Sequence, residues 1–128
     1  MHCPFCDLPE SDVTLALPLV VALRDRFPVS PGHTLIITRR HVPTGFELDE
    51  AERQELWRAL DLVKASLDCD FHPDGYNVGF NVDEAAGQTV MHFHLHVIPR
   101  YRGDVADPVG GVRHVIPSKG NYLRGRDE

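Results

Sequence analysis

Three histidines at alternate positions, His92, His94 and His96, are the residues in this sequence best placed to do chemistry. In an extended strand successive side chains leave opposite faces. The three imidazoles therefore share one side, and Phe93, Leu95 and Val97 take the other, the side of a core. Neighbours on one face stand about 6.5–7 Å apart at Cα. Buried titratable groups in a row each need a partner, and eight histidines in 128 residues is the one anomaly of the composition. Two chemistries fit. Histidines at i and i+2 on a strand have a common spacing for zinc ligands. A neutral imidazole is also a competent nucleophile toward phosphorus near pH 7, with flanking imidazoles to orient it or supply protons. Spacing alone does not separate the two.

A second signal is Cys3-Pro4-Phe5-Cys6. A redox-active pair needs a preceding strand and a helix N-terminus to stabilise its thiolate, and position 3 leaves room for neither. A zinc knuckle is the expectation; it needs two more ligands. An unmetallated segment is the alternative. The turn Gly87-Gln88-Thr89 offers backbone N–H groups and short side chains that could cradle phosphate oxygens.

The elements that must position these groups are legible in outline. Val13–Leu17, stopped by Pro18, and Leu19–Arg24 read as short strands. Pro28-Val29-Ser30-Pro31-Gly32 is a loop of turn formers that delivers His33 to a third strand, Thr34–Thr38. Asp49 caps a helix with Glu52 completing a capping box, and Leu56, Leu60, Val63 and Leu67 recur at helical spacing with Trp57 beside them. Arg53, Glu55, Arg58, Asp61 and Lys64 form its solvated face, so this helix packs on the sheet and does no chemistry. Tyr76–Val82 and Met91–Ile98 read as two more strands, joined by the loop 83–88. Cys69 reads as a small buried hydrophobe near the helix end, and His2, His72 and His114 as surface histidines. Beyond Pro99 the tail is rich in Gly, Pro, Arg and Asp, without a sustained period, and is expected to wrap the surface or a partner subunit.

Short strands joined by short loops, with one long helix, predict an α+β domain on an antiparallel sheet of about five strands with a C-terminal extension. The expected organisation is one domain over 1–128: a CxxC zinc-knuckle segment at 1–10, a core at 11–100 and a tail at 101–128. The net charge of −6 opposes binding of polymeric nucleic acid, which needs a basic face. No apolar run approaches the roughly 20 residues of a membrane span, and no signal-peptide pattern is present, so a cytoplasmic protein without a membrane partner is expected.

The stretch from Asn81 to Arg100, NVDEAAGQTVMHFHLHVIPR, resembles the signature region of the histidine-triad (HIT) superfamily of nucleotide hydrolases and transferases. Pro31-Gly32-His33 resembles that family's PGH strand, and the resemblance runs from about Cys3 to Arg100. It implies that His94 is the nucleophile, that His96 contacts the α-phosphate and helps the leaving group depart, that His92 supports the site from its edge, and that His33 sets the hydrogen bonding of the triad. It implies phosphate contacts from Asn81, Gln88 and Thr89 and a ribose contact from Asp25. It also implies a structural zinc on Cys3, Cys6, His41 and His92, with no organic cofactor, and a homodimer, to which the helix with Trp57 could contribute an interface.

The reaction so implied is hydrolysis at the α-phosphate of a purine nucleotide conjugate, through a covalent nucleotidyl-histidine. Glu84–Val90 looks closer to enzymes of dinucleoside polyphosphates, whereas Asp25 looks closer to those of nucleoside phosphoramidates. His96 itself disfavours the nucleotidyltransferase branch, where Gln often stands. The rival readings are a tri-histidine zinc module and a nucleotide sensor without turnover.

Overall fold

The computed structural model describes residues 3–124. Five strands form one antiparallel sheet in the order β1-β2-β3-β5-β4: β1 Val13–Ala16, β2 Val20–Arg24, β3 Thr34–Thr38, β4 Gly75–Gly79 and β5 His94–Arg100. One long helix, α1 Glu50–Phe71, lies across one face. Its start is the capping box read from the sequence: the Glu52 N–H donates to the Asp49 carboxylate at 2.8 Å, and the Asp49 N–H donates to Glu52 at 3.0 Å. Ala59, Val63 and Leu67 are buried against Val20, Ala22, Ile36, Leu95, Val97 and Phe93. On the other face Val21, Leu23, Leu35 and Ile37 pack with Phe5, Leu8 and Val13. Strands β2 and β3 are thus covered on both sides, which is why they read as continuous apolar runs rather than alternating ones.

Several expectations need correction. β5 starts at His94 and runs through Pro99 to Arg100, instead of spanning 91–98. Pro99 is tolerated because its carbonyl points away from β4, accepting from the Ser30 hydroxyl at 2.6 Å. The nitrogen of a strand residue shares the side of its carbonyl, so no β4 ladder bond is lost. β4 ends at Gly79 rather than Val82 because Phe80 turns inward to stack on Phe93 and Phe46. Glu55 is not a solvated side chain: its carboxylate accepts the backbone N–H groups of Leu19 and Val20, tying α1 to the β1–β2 turn. Cys69 is exposed, not buried. The apolar stripe of α1 passes through Ala59 and leaves Trp57 69% exposed. His72 and His114 are exposed, as read from the sequence, and His2 lies outside the described residues. The tail folds into two short 3-10 turns, Gly111–Val115 and Pro117–Lys119, and Asn77, Ile98 and Arg100 share a cavity wall with it. No helix among the described residues is long and apolar enough to cross a membrane.

Candidate functional site

The face of the sheet opposite α1 carries the histidines. Register places His94 across from Ile37, and His96 across from Leu35 and Gly79. His92 precedes the strand and is fully buried, so the three rings do not form one uniform row. Each has a different partner. The His92 ring donates Nε2–H to the Thr38 carbonyl at 2.6 Å, which leaves its Nδ1 as a lone pair. His94 donates Nδ1–H to the His92 carbonyl at 2.8 Å, which puts its lone pair on Nε2. The link of His92 to the triad is therefore its backbone carbonyl, not a second ring nitrogen.

His96 takes its protonation pattern from a relay. The Val29 N–H donates to His33 Nδ1 at 3.1 Å, so His33 carries its proton on Nε2. That proton is shared with His96 Nδ1 at 2.9 Å, which leaves His96 with Nε2–H toward the cavity. Burial is the main cause that pushes His96 down to about 4, the neighbouring His94 and His33 add to it, and Asp25 opposes it. Burial also lowers His33, again against Asp25, and lowers His92 against the Thr38 carbonyl. Near neutral pH His33, His92 and His96 are thus uncharged imidazoles with defined tautomers. The Asp25 carboxylate is 3.4 Å from His33 Nε2 and 4.0 Å from His96 Nδ1. Asp25, His33 and His96 lie close enough to hold a metal, but the proton that Val29 directs to His33 Nε2 occupies the atom a metal would need.

A cavity of about 510 Å³ opens beside these groups, within the usual range for small-molecule sites. Asp25, Asn81, Gly87, Thr89, His94 and His96 line it, as does His33. Gln88 does not. Its amide is buried, accepting from the Asp83 N–H at 2.7 Å and donating to the Pro43 and Val90 carbonyls at 2.7 and 3.1 Å. Gln88 therefore holds the loop that presents Thr89. Gly87 has φ +90, a conformation that favours glycine. The rest of the lining is largely apolar: Phe5, Leu8, Leu23, Leu35 and the exposed Phe27. Phe5 and Leu8 escaped the sequence reading, although their place beside two candidate ligands was a signal. The Val29 N–H left no signal, because a backbone donor carries no residue identity.

Cys3, Cys6, His41 and His92 converge on a second centre, their ligand atoms all within 4.8 Å of one another. The separations are 3.5 Å for Cys3 Sγ to His92 Nδ1, 3.3 Å for Cys6 Sγ to His41 Nδ1, 3.6 Å for Cys6 Sγ to His92 Nδ1 and 3.1 Å for His41 Nδ1 to His92 Nδ1. A tetrahedral zinc with ordinary bond lengths requires about 3.6 Å between sulfur and nitrogen and about 3.3 Å between nitrogens. The donor set fits zinc. A tri-imidazole zinc on His92, His94 and His96 does not fit, because His92 Nδ1 belongs to the cysteine cluster and His94 Nδ1 to a backbone carbonyl.

A five-stranded antiparallel sheet with one crossing helix, a paired PGH histidine and a triad leading into β5 define a histidine-triad protein. The family model for the HIT domain matches residues 9–103, and the chain belongs to the HIT family. It is 34% identical over 95 residues to the bis(5'-adenosyl)-triphosphatase of Dictyostelium discoideum, covering 74% of this chain and 64% of that protein. Among solved structures it is similar to a HIT family protein of Bacillus anthracis, with TM-score 0.75 and 33% identity, covering 80% of this chain and 76% of the other. It is also similar to a zinc-bound histidine triad family protein of Mycobacterium smegmatis, with TM-score 0.73 and 28% identity, covering 83% and 80%. HIT relatives include hydrolases of dinucleoside polyphosphates, which supports a nucleotide hydrolase in general terms.

Proposed function

We propose that this chain hydrolyses purine nucleotide conjugates at the α-phosphate through a covalent nucleotidyl-His94 intermediate. The observation that carries the reading is the hydrogen bond from His94 Nδ1 to the His92 carbonyl, which fixes the nucleophilic lone pair on Nε2 in a ring that lines the cavity. In the first step that lone pair forms a bond to Pα while the bond from Pα to the leaving group breaks. Thr89, Asn81 and backbone N–H groups of the 87–89 turn hold the non-bridging oxygens, and Asp25 contacts the ribose. In the second step water attacks Pα and releases a proton to solvent, the P–N bond breaks, and His94 recovers its lone pair.

Dinucleoside polyphosphates suit the site better than phosphoramidates. A nucleotide departs as a stable anion, so a neutral His96 needs only to donate a hydrogen bond from Nε2. An amine leaving group needs a full proton, which an imidazole held well below its ordinary value gives up only by becoming an anion. The name of the Dictyostelium relative agrees with this preference.

A structural zinc would be held by Cys3, Cys6, His41 and His92, where it neutralises two thiolates and fixes the N-terminal segment. We also assign the chain one domain over 1–128, a cytoplasmic location and a homodimer. The dimer would use β4, the strand at one edge of the sheet, and the α1 surface around Trp57. A mass for two chains in light scattering at micromolar concentration supports it, and a monomer removes it.

The chemistry is tested with a chiral α-phosphorothioate substrate turned over in isotopically labelled water. Two displacements retain configuration at phosphorus, and a single attack by water inverts it. Inversion ends the covalent reading. His94→Ala is expected to lose at least about a thousandfold in turnover while still binding nucleotide.

A further inference from the structure

We propose that Phe5 is a positioning residue through which a metal on Cys3, Cys6, His41 and His92 holds the nucleophile His94 and closes one wall of the cavity. The proposal rests on the nucleotide reading given above and adds to it that occupancy of the metal centre sets nucleotide affinity. Phe5 stands between the two cysteines, in a turn closed by the Cys6 N–H donating to the Cys3 carbonyl at 3.1 Å. Its ring meets the His94 ring edge-on, with centroids 5.1 Å apart and planes at 62°. The same ring meets His92 at 5.9 Å and 86°. The other group that orients His94 from this side is the carbonyl of His92, itself a member of the metal cluster. His92 is buried and keeps its own bond to the Thr38 carbonyl, and the His96 ring meets His94 at 5.2 Å, so Phe5 is the restraint on the nucleophile that depends on the metal.

The cluster favours this coupling. His92 Nδ1 is a lone pair, because the opposite nitrogen donates to Thr38, and it faces His41 Nδ1 at 3.1 Å and two sulfurs at 3.5 and 3.6 Å. These separations match the edges of one zinc tetrahedron. Without a metal only thiol–imidazole and imidazole–imidazole hydrogen bonds tie the cluster, a weaker hold that lets the exposed Cys6 swing outward with Phe5. Phe5 and Leu8 also pack on Val21, Leu23, Leu35 and Ile37, so their displacement opens the apolar wall of the cavity as well as freeing the His94 ring.

The test uses the full chain, zinc-loaded and stripped with a chelator. The readouts are AMP binding by calorimetry, nitrogen and proton NMR of the His94 ring, and the nuclear Overhauser contact between the Phe5 and His94 rings. Stripping is expected to erase that contact and broaden the His94 Nδ1–H signal. It should also weaken AMP binding about fivefold, the scale of one aromatic contact. Phe5→Ala with full zinc content should show the same broadening and the same weakening, and stripping it should add nothing further. Phe5→Tyr should restore both. The loss of metal sensitivity in Phe5→Ala is the mark of coupling, since a residue that only touched the base would leave the metal effect intact. Should stripping unfold the wild type in circular dichroism, the zinc-loaded Phe5→Ala protein decides: unchanged His94 signals overturn the proposal. A folded, stripped protein that keeps the Phe5–His94 contact also overturns it. Failure of AMP to bind either wild-type form would instead remove the nucleotide reading, and the His94 signals would still decide the coupling.

Discussion

Protonation of His96 is expected to destabilise the fold as pH falls below neutral. The group has an ordinary value of 6.5 and is held near 4 in the folded chain, mainly by burial. Its folded value is depressed, so the unfolded chain binds the proton first. Stability from this group is present in full above 6.5 and is lost as pH falls toward 4. Between pH 7 and pH 4.5 linkage over this window amounts to a ceiling of about 2.4 kcal/mol. His96 keeps 24% of its side-chain surface exposed. Solvent screening reduces the expected loss to about 1–2 kcal/mol. The assay is urea unfolding of the wild type and of His96→Asn at pH 7.0, 6.0, 5.0 and 4.5, each at fixed zinc and salt. Protons taken up by the cysteine cluster are common to both proteins and cancel in the difference. The variant should lose about 1–2 kcal/mol less than the wild type across the range. Parallel pH profiles would refute the reasoning, because they would place the His96 imidazole in ordinary contact with water.

Glu55→Ala removes the acceptor shared by the Leu19 and Val20 N–H groups, the second of these on a fully buried residue. It should cost about 1–3 kcal/mol in urea unfolding, with Glu55→Gln recovering part of it, and a loss below about 0.5 kcal/mol would show those N–H groups finding water. Gly110→Ala should loosen the tail: φ is +95 and an added Cβ would lie 2.0 Å from the Gly120 carbonyl oxygen. Faster proteolytic clipping within 101–124, with core unfolding unchanged, is the expected result, and unaltered clipping contradicts it. His41→Ala and Cys6→Ala should each lower zinc content below one per chain by elemental analysis, whereas His114→Ala should leave it unchanged; equal content in all three would remove the metal centre.

The sequence determined a good deal unaided, wherever the physics is local. Alternation along 92–97 separated a histidine side from a core side, and Phe93, Leu95 and Val97 are indeed in the helix-side core. The Asp49–Glu52 capping box formed as read, because its atoms lie within one turn of chain. The family was legible because several short motifs coincide, and the four cluster residues Cys3, Cys6, His41 and His92 do meet.

What only the tertiary structure decided depends on backbone groups and on distant partners. A pattern of residue types cannot say that the Val29 N–H fixes His33, which fixes His96, because donors of that kind are the same at every position. Gln88 read as a phosphate contact from its place in a turn, yet the folded loop surrounds its amide with three backbone partners. Glu55 looked solvated on a helical wheel, and only the approach of the β1–β2 turn turned it into an acceptor for two strand N–H groups. The strand was read to end at Ile98, and it continues through Pro99 because the Pro99 nitrogen faces the side where β3 has already ended. The difference among the three triad histidines was of the same kind. Three equally spaced histidines are equivalent in sequence, and they became different when Thr38, the His92 carbonyl and His33 each claimed a different ring nitrogen.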